Sequence, residues 1–210
     1  ESMHAVDAII EHASRFQGKL EIVTLGPLTN LAMAVLKDPD LAQKVKHVYI
    51  MGGSGLTPGN ITPLAEFNFY ADAEAVHLVL QSGLSVTVVG WEIGMGEAFI
   101  NQDDIDYLNT LSDLGRFAVR CNRTLMAFNA GRTDRVGFDL PAPTTMAVAL
   151  FPEIIENCIE AHTWIEYHSE KSYGHFVIDS TQLTFQATNA RVVTSIKSGM
   201  FKQKLFSLLS

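Results

Sequence analysis

Asn60, Glu66 and Asn68 stand within nine residues of each other and belong to the residue types that grip hydroxyl groups. An ionised carboxylate accepts hydrogen bonds, and two amides add further acceptors and NH2 donors, so the set matches a polyol such as ribose. The three side chains lie in a stretch that runs from Ile50 to Glu74. An apolar, β-like run from His47 to Met51 leads into a loop rich in glycine and proline. A helix-like stretch follows from Ala71. Strand, polar loop and helix in that order are how an open α/β sheet builds a site at the carboxyl ends of its strands.

Other candidate chemistry is weaker. His162, His168 and His175 are spaced six and seven apart, which does not bring three imidazoles together on strands, so a zinc site is not expected. Cys121 and Cys158 show no metal spacing and read as two reduced, buried thiols rather than a disulfide. The 210 residues are enough for one substantial domain, 1–210, and 47% hydrophobic with 18% charged residues is ordinary for a globular core. Net charge is −8, and no cluster of Lys and Arg marks a phosphate-binding surface, which argues against nucleic acid as a partner. No stretch approaches the ~18 apolar residues of a membrane span, and no signal peptide opens the chain. The expected location is cytoplasmic.

The elements that must position the site alternate. Val6, Ile9, Ile10, Ala13 and Phe16 fall on one face of a helix. Leu20 to Leu25 is β-like, Gly26-Pro27 turns, and Leu28 to Leu36 reads as a helix closed by Asp38-Pro39-Asp40. His77, Val79 and Leu80 belong to the helix after the loop, with His77 on its face. Ser85 to Val89 reads as a strand ending in a loop at Gly90-Trp91-Glu92. Trp91 is open to two placements, a pocket wall or the core. Asn101 with Asp103 and Asp104 reads as an N-cap and acidic first turn for a helix through Leu111. Leu114 to Phe128 reads as a second long helix with a polar end, 129–135. His162 to Tyr167 and His175 to Ile178 suggest a hairpin around Gly174. Arg191 to Ile196 is a last β-like run, and Phe201 to Leu209 an amphipathic helix with Lys202 and Lys204 exposed. Such alternation predicts an α/β fold, a mainly parallel open sheet flanked by helices.

Met51-Gly52-Gly53, Gly59-Asn60 and Ala65-Glu66-Phe67-Asn68, with Gly26-Pro27-Leu28-Thr29-Asn30 upstream and Pro143 to Leu150 downstream, resemble the inosine-uridine-preferring nucleoside hydrolases. The resemblance runs from about residue 2 to the C-terminus. It implies a Rossmann-like sheet, hydrolysis of the N-glycosidic bond of a ribonucleoside, a nucleoside or ribose as partner, and a homo-oligomer, dimer or tetramer. Asn60 and Asn68 would bond ribose hydroxyls, notably at the 5′ end, Glu66 would bind a hydroxyl near the developing cation, and Met51 would pack on the sugar. Phe67 is open to core or pocket. Asn129, Arg132 and Asp134 are open to contact with the leaving base or to a solvated loop.

The resemblance also implies calcium, which takes about 6–8 oxygen ligands, several of them charged. The family's aspartate-rich loop, DxDxGxDD, appears nowhere in the 210 residues, so an N-terminal part of a typical family chain is expected to be absent. The Leu25 backbone carbonyl falls at one neutral ligand position. Ala142 falls where the family carries a metal-binding aspartate, and Pro141 where some members carry a histidine that protonates the base. Asp139 could replace the aspartate only if the loop were re-routed. Calcium is therefore expected to be weak or absent. Two functions stand: a nucleoside hydrolase, and a catalytically inactive relative that keeps ribose or nucleoside binding. An unrelated α/β binding module is a third. Without a strand beside Leu20 to Leu25 the chain is expected to be marginally stable or self-associating.

Overall fold

The structure is a computed structural model that describes residues 3–131 and 135–210. In chain order its elements are α1 (Ala5–Arg15), β1 (Leu20–Thr24), α2 (Thr29–Lys37), α3 (Leu41–Lys44), β2 (Val45–Met51), α4 (Phe67–Ala71), α5 (Ala73–Gln81), β3 (Val86–Val89) and α6 (Trp91–Met95). There follow β4 (Ile100–Asn101), α7 (Gln102–Leu111), α8 (Asp113–Cys121), α9 (Arg123–Ala130), β5 (Gly137–Phe138), α10 (Pro141–Leu150), β6 (Ile155–Glu166), β7 (His175–Asp179), β8 (Ala190–Ile196) and α11 (Ser198–Leu208).

Six strands form one sheet in the order β1-β2-β3-β8-β6-β7. The first four are parallel; β6 and β7 extend the sheet antiparallel. Every residue of β3 is buried, as a parallel strand covered on both faces requires. Register explains why the site forms where it does. Thr24 pairs with Ile50, and Ile50 with Val88, so β1, β2 and β3 end in one row. Leu25, Met51 and Gly90 therefore come out on one rim.

Helices cover both faces. Val6, Leu31 and Val76 from α1, α2 and α5 pack with Val48, Ile50 and Val88 in one core. Ile93, Val148 and Phe201 from α6, α10 and α11 pack with Val89 and Val193 in a second. Phe69 of α4 is fully buried and meets Phe176 of β7 edge to face, with ring centroids 5.3 Å apart. That contact ties the loop after β2 to the far side of the sheet. Two glycines shape the loop. Gly53 adopts φ +79°, and a Cβ on Gly59 would lie 2.0 Å from the Ala65 carbonyl oxygen.

The hairpin around Gly174 is present, pairing His162 with Asp179 and Glu166 with His175, and its first strand is longer than expected. Asn101 caps α7 in a reciprocal capping box with Asp104. His77 lies against Tyr167, as a helix-face residue. Several expectations need correction. The helix after the loop starts at Phe67, not Ala71, because the Glu66 side chain caps it, and Asp72 caps a second helix. Gly90-Trp91-Glu92 is a helix start, not a loop. Leu114 to Phe128 is two helices broken at Asn122, whose side-chain amide donates to the Ala118 carbonyl oxygen. Phe16 lies beyond α1, exposed, its ring stacked on His12. Lys202 is not exposed: it pairs with Asp104 at 2.5 Å. Both cysteines are free, but Cys121 is exposed and Cys158 half-buried, because helix and strand turn them away from the core. Among the described residues no helix is long and apolar enough to cross a membrane.

Candidate active site

A cavity of about 750 Å³ opens on the rim where β1, β2 and β3 end. Leu25 enters it from β1, Met51 from β2 and Trp91 from the start of α6. Asn60, Glu66, Phe67 and Asn68 come from the loop after β2 and from α4. Asn129, Asp139, Pro141 and Ala142 close the opposite wall from α9 and the start of α10. Every candidate side chain among the described residues thus reaches one cavity; Arg132 and Asp134 lie outside those residues.

Asn60, Glu66 and Asn68 are held in place by the backbone. Glu66 is 2% exposed. Its Oε2 accepts from Gly53 N at 3.0 Å and Phe69 N at 3.3 Å, so one carboxylate both caps α4 and pins the loop to it. Burial raises the Glu66 pKa, and the N–H groups of Asn68, Gly53 and Phe69 pull it back. Asn60 Oδ1 accepts from Phe67 N at 2.8 Å. Asn68 Nδ2 donates to the Met51 carbonyl oxygen at 3.2 Å and contacts Met51 Sδ at 2.9 Å. The Asn68 amide therefore spends its donors on Met51 and keeps Oδ1 as the group open to other work. Phe67 lines the cavity and is 53% exposed, not packed in the core.

The wall away from this cluster is aromatic. The Trp91 indole lines the cavity and donates from Nε1 to the Pro58 carbonyl oxygen at 3.4 Å. Phe99 and Phe128 add two rings. The Arg135 guanidinium lies 3.8 Å from the Phe99 ring centre and donates to the Met95 carbonyl oxygen at 2.8 Å. Asp139 is buried, and its Oδ1 accepts from Asn129 Nδ2 at 3.1 Å. Rings with a carboxylate and an amide suit a flat, hydrogen-bonding heterocycle.

Calcium is not fitted by this donor set. Leu25 and Ala142 both line the cavity, but an alanine methyl supplies no oxygen. Among the described residues no three His, Cys, Asp or Glu side chains gather closely enough to hold a metal ion.

Sequence patterns left several wall residues unassigned. Leu125, Phe128 and Phe99 look like ordinary apolar residues of helix and core, and nothing in their spacing marks them. Arg135 lies just before the two-residue strand β5, too short to show in a pattern, and Asp139, just after it, reads in sequence only as a substitute metal ligand. Glu92 could be suspected only from its place just after a strand end. Its pKa is pushed up to about 7, chiefly by burial and also by the nearby charge of Glu66.

An open α/β sheet with a cavity at its strand ends, lined by a carboxylate, amides and aromatic rings, carries its candidate site where such sheets build one. Residues 1–203 match the family described as inosine-uridine preferring nucleoside hydrolase, and the chain belongs to that family. It is 33% identical over 150 residues to the probable uridine nucleosidase 1 of Oryza sativa subsp. japonica, which covers 71% of this chain and 46% of that protein. It is 30% identical over 215 residues to the pyrimidine-specific ribonucleoside hydrolase RihA of Shewanella sp. (strain MR-7), covering 100% of this chain and 66% of the relative. The solved plant nucleoside hydrolase PpNRh1 superposes with a TM-score of 0.91 at 26% identity, over 99% of this chain and 67% of that one. The chain thus spans less than two thirds of the length of these curated relatives.

Proposed function

We propose that this chain is the sugar-binding part of a ribonucleoside hydrolase, which splits the N-glycosidic bond with water to give ribose and a free purine or pyrimidine base. The observation that carries this reading is the convergence of Glu66, Asn60 and Asn68 on one cavity at the strand ends, in a chain of this family. Asn60 and Asn68 bond ribose hydroxyls, Met51 packs on the sugar, and Phe67 covers one face. Glu66 accepts from a hydroxyl and sets negative charge near the ring as it becomes oxocarbenium-like. Water adds at the anomeric carbon while the base leaves with the bonding electron pair and a proton. Pro141 cannot supply that proton. Asn129 and Asp139 face the base end. Calcium, which the family resemblance implies, needs charged oxygens beyond those described, so no step is routed through it here. The working unit is a homo-oligomer.

A second reading, ribose binding without turnover, is favoured by one observation, the methyl group of Ala142 in the cavity wall. The test is D-ribose calorimetry together with inosine and uridine hydrolysis, on the unmodified chain, Glu66→Gln and Ala142→Asp. Ribose binding weakened at least about tenfold by Glu66→Gln is expected, which is a loss of about 1.4 kcal/mol. Turnover in the same samples selects the hydrolase, and binding without turnover selects the second reading. No ribose binding by the unmodified chain sinks both.

A further inference from the structure

α4 brings Phe67 and Asn68 to the cavity, yet it is a helix of only five residues. A helix that short does not hold itself, so its neighbours must fix it. At the cavity Glu66 is bonded to Gly53, and Asn68 to Met51. The tip of the β6–β7 hairpin meets the same segment, although no hairpin residue lines the cavity. Ala65 forms an antiparallel bridge with His175, and Phe69 meets Phe176 edge to face. Gly174, at φ +79°, passes so close that a Cβ on it would lie 2.8 Å from Tyr70 Cα.

Tyr173, at that tip, adds directed contacts. Its ring meets the Tyr70 ring at 5.6 Å between centroids and 88° between planes. Its hydroxyl accepts from Ala73 N at 3.3 Å and donates to Glu74 Oε2. Ala73 is fully buried and opens α5, and the first N–H groups of a helix have no partner inside it. The Tyr173 hydroxyl thus caps α5 from 100 positions away. Asp72 holds the same junction separately: Oδ1 accepts from Ala75 N at 3.0 Å, and Oδ2 accepts from Thr29 Oγ1 at the start of α2. Loss of the Tyr173 hydroxyl therefore leaves α5 capped and frees the junction from the hairpin.

We propose that Tyr173 is a positioning residue for the candidate site: it braces the junction of α4 and α5 so that Asn68 stays bonded to Met51 and turns Oδ1 to a ligand. The brace stands on its own contacts; its link to sugar binding rests on the ribose reading above. Glu66 anchors the start of α4 and Tyr173 the junction at its end, so Asn68 lies between two anchors. The ring contacts at Phe69 and Tyr70 hold α4 against the hairpin with little direction, and the Tyr173 hydroxyl adds the directional part. Without it α4 pivots about the Glu66 cap and carries the Asn68 amide off the Met51 carbonyl oxygen, now 3.2 Å away. Hydrogen bonds weaken steeply with angle, so a small pivot suffices.

Tyr173→Phe keeps the ring and removes the hydroxyl. In protein labelled with ¹⁵N at asparagine, the Asn68 side-chain amide gives a pair of resonances, assigned by their proximity to Met51. In Tyr173→Phe they should shift, and their exchange with water should quicken at least about threefold. D-ribose affinity by calorimetry should fall at least about fivefold, while the urea midpoint moves by less than about 0.5 M. Glu74→Gln, at an exposed residue, leaves a weaker acceptor and should move the same resonances in the same direction by less. Should Tyr173→Phe fail to fold, that variant decides alone. Tyr167→Phe is the control: it removes a hydroxyl from the same hairpin, where the ring lies against His77, and should leave Asn68 and ribose affinity unchanged. Unmoved Asn68 resonances in Tyr173→Phe and Glu74→Gln, an equal change in Tyr167→Phe, or a larger fall in the midpoint overturns the proposal. Ribose affinity that holds while Asn68 moves overturns the link to sugar binding. No ribose binding by the unmodified chain removes the sugar reading, while the spectra still judge Tyr173.

Discussion

Glu66 and Asn68 each hold backbone at residue scale, and under the function proposed above each would also meet a sugar hydroxyl. A side chain that caps a helix or brackets a strand end is already immobilised, so its remaining oxygen meets a ligand with little further entropy loss. The same economy makes these residues sensitive. Asn68→Asp replaces the amide that donates to the Met51 carbonyl oxygen with a buried carboxylate facing that oxygen. It is expected to cost about 1–3 kcal/mol, read as a lower denaturation midpoint, and to weaken ribose binding. Glu92 behaves oppositely. Its folded pKa of about 7 lies above its ordinary 4.5, so the stability it contributes is fully present below about pH 4.5 and is gone above about pH 7. Glu92→Gln removes that loss and should stabilise the chain by about 3 kcal/mol at pH 8 and by far less at pH 4.5. Equal gains at both values in denaturant titrations would reject this.

At element scale the loop between β2 and α4 is built by close approach. The Asn60, Ile61 and Thr62 N–H groups all converge on the Ala65 carbonyl oxygen, and Gly59 passes beside it. Gly59→Ala puts a methyl into backbone that cannot move without breaking those bonds. A loss of about 1–3 kcal/mol is expected, with ribose binding lost before global unfolding. A variant with unchanged stability and binding would show that the loop relaxes freely. The turn after β7 is a second built feature. The Asp179 carboxylate accepts from Leu183 N, Thr184 N and Thr184 Oγ1, and the Thr184 bonds above all hold its pKa down to about 2. The support it lends is present above about pH 3.8 and lost as pH falls through about 2. Asp179→Ala should speed proteolysis within 180–189 at neutral pH; unchanged cleavage would place the turn's stability elsewhere.

For the whole molecule, the parallel half of the sheet ends at β1, whose outer edge pairs with nothing among the described residues. An open edge on an otherwise covered parallel sheet is a template for another chain. Concentration-dependent association is expected in sedimentation, weakened by Ile22→Lys. A monomer at all concentrations would show that this edge is protected.

Much of this molecule was legible without coordinates. Periodicity and strand-end loops located the parallel strands, the hairpin around Gly174 and the α7 cap, because alternation, capping and turns are local properties that a few neighbouring residues set. The cluster Asn60, Glu66 and Asn68 was legible for the same reason, lying in one continuous stretch. The break at Asn122 and the early start of α4 were not, since a single side-chain hydrogen bond decided each. Nor were the aromatic wall, the arrival of Asp139 beside Asn129, or the buried, unpartnered Oε2 of Glu92. Those juxtapositions follow from no periodicity or short motif, and only the packing of helices on a shared sheet sets them. The sequence by itself determined the family, the sheet and the clustering of Asn60, Glu66 and Asn68 in one stretch. The tertiary structure alone decided which wall faces them and which carboxyl lacks a partner, because burial and long-range contact are properties of the folded chain and not of any stretch within it.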